Sequence, residues 1–482
     1  MSNVAISPGK LRARVIGLSL AAALGGFLFG FDSSVINGAV QALQKQFNMS
    51  SGELGFAVAS ALLGCAVGAF LAGRLADAFG RVRVMIIGGL LFFASSIGAG
   101  LAGDVTSLIL WRVLGGLGIG IASVIAPAYI AEIAPKAIRG SLASLQQLAI
   151  TIGIFAALLV DASLANGAGG AEEVSFLGME AWRWMFISCA IPAVIYTVIS
   201  FFLPESPRYL ALKGKTEKAK GVLSRILPAD QVTAALGDIE TEIKTDAANK
   251  AGASLRGKAF GLLPVVWVGI LLSMFQQFVG INVIFYYSTD LWTAVGFPES
   301  ASFTISVVTS LINVAVTFIA IALVDKIGRR LLLLIGSAGM AISLGLMTLA
   351  FSQSQIVAGH PQLEGAWAPI ALIGANAFVI FFGATWGPVV WVLLGEIFPG
   401  RVRAKALGVA AMAQWISNWV ITVTFPFLSQ QVSVSLTYGL YTLFAALSFI
   451  FVFVKVPETK GVALEDVDAL MAGGARKLRK AG

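Results

Sequence analysis

The sequence predicts an all-α membrane protein with twelve transmembrane helices in two six-helix bundles and short cytoplasmic helices between them. Three observations carry this. Of 482 residues, 57% are hydrophobic and 12% charged, and the mean hydropathy is +0.87, far outside the range of soluble chains. Apolar stretches of about 20 residues, the length that crosses a bilayer, occur in two sets of six. The scarce charges also repeat in order about 250 residues later, as a duplicated membrane domain would have them. Asp77 and Arg81 return as Asp325 and Arg329, Glu132 and Arg139 as Glu396 and Arg403, and Pro204-Glu205 as Pro457-Glu458.

A tail, residues 1–14, precedes spans near 15–37, 54–73, 84–103, 107–130, 141–163 and 184–203, which form a first bundle over 15–203. The run after Lys10, Arg12 and Arg14 resembles a cleaved leader, but it continues through Phe31 and eleven spans follow, so it reads as span 1. Residues 204–262 form a polar linker in which Val232, Leu236, Ile239 and Ile243 make one apolar stripe at helical spacing. Spans near 263–288, 302–324, 331–351, 368–393, 404–428 and 434–454 form the second bundle over 263–454, followed by a tail, 455–482. Positively charged loops stay in the cytoplasm. With both termini inside, only Lys45, Arg112 and Arg183 fall outside the cytoplasmic segments, whereas the outer loops carry Glu172, Glu173, Glu180, Glu299 and Glu364. The expected location is the plasma membrane, of the bacterial inner-membrane kind.

Several chemistries are excluded. The net charge of +8 is spread as short clusters flanking spans, which argues against a nucleic-acid surface. Cys65 and Cys189 lie inside spans, so no disulfide framework is expected. Gly214-Lys215-Thr216 has Tyr209 where a phosphate loop needs its upstream glycine. His360 stands alone, which leaves no metal site, no cofactor and no enzyme chemistry to expect. Gly26/Gly30, Gly64/Gly68 and the run Gly116, Gly118, Gly120 read as places where helices approach closely. Asn48-Met49-Ser50 fits a glycosylation acceptor and matters only in a host that glycosylates.

Charges within spans are expensive, by about 3 kcal/mol on insertion scales, and normally face a cavity or a partner. Asp32 and Arg112 are the two deepest, and counting at about 1.5 Å per residue puts them at similar depth in spans 1 and 4. An ion pair between them either pins two helices or makes Asp32 a proton site. Burial and a guanidinium act on a carboxyl in opposite senses, so a change of water access can load and unload it. Asp161 and Asp290 read as interfacial. The repeat sets Asp32 opposite Asn282 and Arg112 opposite Asn376, so the charges belong to the first half alone.

Amides crowd the second half: Gln276, Gln277 and Asn282 in span 7, Asn313 in span 8, Gln414 and Asn418 in span 11; Gln147 in span 5 joins them. On a continuous helix Gln276, Gln277 and Asn282 share a face. Carboxamides donate and accept, which suits a ligand covered with hydroxyls. Trp391, Trp415, Tyr286 and Tyr287 offer aromatic planes for the apolar faces of a ring. The alternative is that these amides bridge helices and the aromatics face lipid.

From about Gly25 to Gly461 the chain resembles the sugar porter family of the major facilitator superfamily, and within it bacterial proton-linked xylose and glucose porters. The carriers are Gly30-Phe31-Asp32 with Val35-Ile36-Asn37-Gly38, the loop Gly73 to Arg81, Pro204-Glu205-Ser206-Pro207-Arg208, Gln276 to Asn282, Asp325 to Arg330, Trp386-Gly387-Pro388 with Trp391, and Pro457 to Gly461. The resemblance implies that Gln147, Gln276, Gln277, Asn282, Asn313, Trp391 and Gln414 contact sugar, and that Asp32 accepts the proton beside Arg112. It implies a cytoplasmic gate built from Asp77, Arg81, Glu132, Arg139, Asp325, Arg329, Glu396 and Arg403. Arg74 and Val82 depart from the usual loop, which touches gate strength and not substrate. The expected activity is proton-coupled import of a monosaccharide by alternating access in a lipid bilayer, by a monomer. Glucose or a similar hexose leads, then xylose, then myo-inositol, with selectivity lying in cavity shape around Phe378, Phe381, Phe382 and Gly383. A facilitative uniporter of the same fold and a non-transporting sugar sensor are the alternatives.

Overall fold

The structure is a computed structural model and describes residues 8–135, 139–252, 254–257, 260–357, 360–398 and 402–460. Among these, twelve helices are long and apolar enough to cross a membrane. Spans 1 to 6 are Gly9–Gln46, Ser51–Phe79, Arg81–Gly100, Val105–Ile133, Ser144–Ala168 and Ala181–Phe202. Spans 7 to 12 are Pro264–Tyr286, Glu299–Ala320, Arg329–Ser352, Trp367–Ile397, Lys405–Val432 and Val434–Lys455. Every expected span has its helix. The differences lie at the ends, because a nucleated helix propagates at little cost into polar residues such as Gln41 to Gln46.

The linker folds as Pro207–Leu212, Thr216–Leu223 and Ala229–Gly252, the last of which buries Val232 and Leu236 and half-buries Ile239 and Ile243. Two short antiparallel pairs modify the all-α expectation, Arg256–Gly257 with Gly261–Leu262 and Gln355–Val357 with His360–Gln362.

The chain forms two compact units that cut across the sequence halves: Met1–Asp32, Leu63–Ile154 and Phe186–Ala253 in one, Ser33–Leu62, Phe155–Met185 and Ser254–Gly482 in the other. Spans 1, 2, 5 and 6 therefore change unit partway along their length. In the first unit small residues bring backbones together. A Cβ on Gly30 would lie 2.0 Å from the carbonyl oxygen of Ile150, and one on Gly64 2.1 Å from that of Val113. The Gly30→Leu variant is therefore expected to lose about 3 kcal/mol or more of stability. Its thermal melting in detergent measures this; a wild-type melting temperature would contradict it.

In the second unit spans 7 and 10 are interrupted midway, and span 11 ends in a π-helical turn, Leu428–Val432. Span 7 runs as Pro264–Phe278, breaks at Gly280 in the left-handed region (φ 82°, ψ 21°), resumes as Ile281–Tyr286 and breaks again before the helix Ser288–Ala294. Tyr441 packs where a Gly280 side chain would stand, so position 280 needs glycine for both its φ and its neighbour. Span 10 passes from Trp367–Phe381 through a π-helical turn, Phe382–Trp386, into Gly387–Ile397. Irregular backbone at membrane depth persists only inside protein or along a cavity, which marks spans 7 and 10 as the place to look for function.

Candidate functional site

The repeated charges form two copies of one cluster, each inside one unit. Gly80 follows span 2 and Gly328 follows the helix Glu299–Ile327 that contains span 8; both stand at φ 100° and turn the chain into spans 3 and 9. The next residue is the arginine. Arg81 grips Glu132 at 2.9 Å through Nη2 and 3.0 Å through Nε, and reaches Asp77 at 3.2 Å. Arg329 grips Glu396 at 2.8 and 3.1 Å in the same fork. The side chains of Arg139, Asp325 and Arg403 lie outside the described residues.

The same clusters contain two residues to which the sequence reading gave no role. Glu205 accepts from the backbone N–H groups of Arg81 and Val82 at 3.0 and 3.3 Å; Glu458 accepts from those of Arg329 and Arg330 at 3.0 and 3.1 Å. Each carboxylate caps the N-terminus of a span, where unpaired N–H groups and the helix dipole favour negative charge. The repeated Pro-Glu pair was the signal. Thr459 adds a 2.6 Å bond to Glu396 in the second copy. Glu205→Ala should cost about 1.5–3 kcal/mol, the worth of charged hydrogen bonds, and more than Asp77→Ala, whose carboxylate is half exposed. Paired melting curves check the order.

Asp32 and Arg112 meet as the depth count requires. Arg112 Nη1 lies 4.0 Å from Asp32 Oδ1, both residues are buried, and the guanidinium stands 5.7 Å from the Phe186 ring. At 4.0 Å the pair attracts by charge without a direct hydrogen bond, so the contact can be broken without dismantling a bonded fork. Lys45 and Arg183, the other two cations outside the cytoplasmic segments of the sequence reading, are matched by Glu172 at 2.6 Å and Glu180 at 2.7 Å.

The amides of span 7 do come together, though not on a continuous helix. The break at Gly280 brings Asn282 back, so that its Nδ2 donates to Gln277 Oε1. Gln277 Nε2 donates to Gln276 Oε1 at 3.4 Å, and Gln276 Nε2 donates to the carbonyls of Trp386 and Gly387 at 2.9 and 3.2 Å. The result is a polarised relay whose far end holds two carbonyls at the junction of the π turn and the helix that follows it. Near it, Asn313 Oδ1 stands 3.0 Å from where a Gly383 Cβ would be, so the π turn leaves space for that amide. Gln414 keeps a buried Oε1 with no partner among the described residues, and the Trp391 side chain is 42% exposed. These six residues belong to one unit; Gln147, half-buried, belongs to the other.

Other expectations need correction. Tyr287 is fully buried, donates to the Thr422 carbonyl at 2.9 Å and packs on Phe425, so it serves the core. Asn418 accepts from Thr422 at 3.1 Å and bridges turns of its own helix. Asp161, expected at the interface, is fully buried. No group of three or more metal-ligating side chains occurs among the described residues.

Comparisons place this architecture. A family model described as "Sugar (and other) transporter" matches residues 18–471. The glucose transport protein of Synechocystis sp. is 51% identical over 96% of this chain and 100% of the relative. The D-xylose-proton symporter of Escherichia coli K12 is 36% identical over 97% of each. An inward open conformation of the xylose transporter XylE from E. coli superposes with a TM-score of 0.80 at 36% identity, covering 95% of this chain and 99% of that one. A second structure, the major facilitator superfamily proton:xylose symporter XylE bound to 6-bromo-6-deoxy-D-glucose, gives 0.79 at 36% identity, with the same coverage. The chain therefore has the major facilitator fold and belongs to the sugar transporter family, as a transporter and not an enzyme.

Proposed function

We propose that the chain imports a monosaccharide together with a proton by alternating access, with glucose or a similar hexose as the leading substrate, xylose second and myo-inositol third. The observation that carries the reading is the buried Asp32–Arg112 pair at 4.0 Å. A facilitator has no need of a charge pair that costs desolvation, whereas a symporter needs one buried carboxyl whose proton exchanges with water. The relatives support the sugar and the proton: a glucose transport protein, a D-xylose-proton symporter and an arabinose-proton symporter.

In this mechanism Gln147, Gln276, Gln277, Asn282, Asn313, Trp391 and Gln414 hold the sugar. The relay leaves Asn282 with a free carbonyl oxygen and Gln277 and Asn282 with spare N–H groups, a mixed set that matches a hydroxyl, which both donates and accepts. Asp32 carries the proton and, once neutral, releases Arg112. The Asp77, Arg81, Glu132 and Arg139 set and its copy Asp325, Arg329, Glu396 and Arg403 act as the cytoplasmic gate. The protein works as a monomer in the plasma membrane with both termini cytoplasmic.

Proteoliposomes with an imposed inward proton gradient test the reading. Labelled glucose is expected to accumulate above its external level and to leak out when a protonophore is added. Uptake that only equilibrates would favour the uniporter. A panel of unlabelled competitors identifies the sugar, with hexoses expected to compete before xylose and xylose before myo-inositol.

A further inference from the structure

One turn of span 1, beyond Asp32, is held by four hydrogen bonds, all within the second unit. Asn37 Nδ2 donates to the Phe285 carbonyl at 3.0 Å, and its Oδ1 accepts from the Thr289 N–H at 2.9 Å. One amide thus satisfies both sides of the chain break at Tyr287. The Gly38 N–H donates to Asp161 Oδ2 at 3.2 Å, and Gln41 Nε2 donates to Asp290 Oδ1 at 3.3 Å. Two carboxyls from different elements therefore grip the same turn.

Among the described residues, no ion pair joins either carboxyl to a cation. Asp161 has no exposed surface, its Oδ1 has no partner among the described residues, and the Asp161 side chain and the Met185 sulfur pack where a Gly38 side chain would stand. A bare charge is expensive in such a place, and a proton on Oδ1 leaves the Gly38 bond intact. Charged groups on the surrounding elements are engaged elsewhere: on span 1 Lys45 with Glu172 at 2.6 Å, on span 6 Arg183 with Glu180 at 2.7 Å, and on span 8, which packs against the Asp290 helix, Glu299 with the Ala171 N–H at 3.1 Å. Span 5, Ser144–Ala168, carries no charged residue besides Asp161 itself. Asp290, in the helix beyond span 7, is the sole charged residue of that helix.

We propose that Asp161 and Asp290 form a second proton-binding locus, distinct from Asp32, that clasps the turn Asn37 to Gln41 of span 1 when protonated and releases it when ionised. Burial pushes the Asp290 carboxyl up to about 6, with the Gln41 amide acting the other way. Because burial in the docked arrangement raises the carboxyl above its ordinary 3.8 and outweighs the Gln41 bond, docking is fully favoured below that value and is lost as pH rises through about 6. For sidedness alone the idea rests on the symport reading, under which this turn faces outside and external acid closes it.

The test uses the full chain in detergent, without sugar or gradient, so that failure of the symport reading does not affect it. Ser288, 2% exposed beside the break, is replaced (Ser288→Cys) and its alkylation by a maleimide is followed from about pH 5 to about pH 8, normalised to the denatured chain at each pH. The unsubstituted chain, whose Cys65 and Cys189 are buried, is the blank. Normalised labelling is expected to rise by up to about tenfold per pH unit above about pH 6. Asp290→Asn should flatten most of the rise, and adding Asp161→Asn should remove it. A flat profile in the parent, or an unchanged rise in Asp290→Asn or in the double variant, overturns the proposal. If the double variant is not recovered folded, Asp290→Asn alone decides.

Discussion

Asp32→Asn is expected to abolish pH-driven sugar accumulation in proteoliposomes while leaving sugar-for-sugar exchange within about threefold of wild type. The amide keeps the shape of the carboxylate and cannot carry a proton, so the coupled step fails while the empty and loaded rearrangements survive. Arg112 is then left buried without its counter-charge. Breaking a buried pair costs about 3–5 kcal/mol in well-bonded cases; at 4.0 Å, with no direct hydrogen bond, about 1–3 kcal/mol is the expected loss. The double variant Asp32→Asn with Arg112→Gln should recover part of that stability and none of the accumulation. This separates the two roles left open by the sequence, pinning helices and carrying the proton. Undiminished accumulation by Asp32→Asn contradicts the proton role.

Gln277→Leu should raise the sugar KM by about 10- to 100-fold, the equivalent of one or two hydrogen bonds to a buried polar ligand, and lose about 1–3 kcal/mol of stability for the relay bonds it breaks. Gln276→Leu should do more. Besides breaking the relay, it strips the donor from two carbonyls where the π turn meets the next helix, Trp386 and Gly387, and costs about 1–3 kcal/mol of stability for each left unsatisfied. The contrast between neighbours follows from direction alone: Gln276 spends its donors on backbone, Gln277 spends one on Gln276. Equal KM and equal melting temperature for the two variants would rule the relay out. KM and melting curves on the same preparations decide it.

How much of this was legible in the sequence depends on which kind of signal each feature leaves. Burial in lipid imposes a continuous apolar run, so all twelve spans stood out. Charge scarcity made the Arg81 and Arg329 clusters visible as a repeat, and counting residues along straight helices was enough to bring Asp32 to Arg112. Where helices are not straight the count fails. Gly280 reads as one more small residue in an apolar run; only the structure shows that it breaks the helix and lets Asn282 bond back to Gln277. The π turn Phe382–Trp386 has no periodic mark, yet it decides what Gln276 is for. Asp161 looked interfacial because it lies near the end of span 5; its burial comes from packing against Gly38, which no single-helix pattern encodes.

The places where the halves differ acquire physical content from these contacts. Asn282 and Asn376, the counterparts of Asp32 and Arg112, do not substitute one neutral pair for a charged one. Asn282 joins the amide relay, whereas Asn376 accepts from Thr309 at 3.0 Å and donates to the Leu372 carbonyl at 2.9 Å. The second half has turned these positions into a local hydrogen-bond network, and the first half has retained a separable charge pair. That division of labour is the core of the proposal: proton on one copy, sugar mostly on the other.

The measurement that tests it most directly is proton movement caused by sugar alone. Proteoliposomes loaded with a pH-sensitive dye, with equal pH inside and out, receive glucose on one side, and the lumen is watched. Co-entry predicts acidification that follows sugar entry in wild type and is absent in Asp32→Asn. Sugar entry at the wild-type rate with no change in lumenal pH would contradict coupling and leave the chain a facilitator.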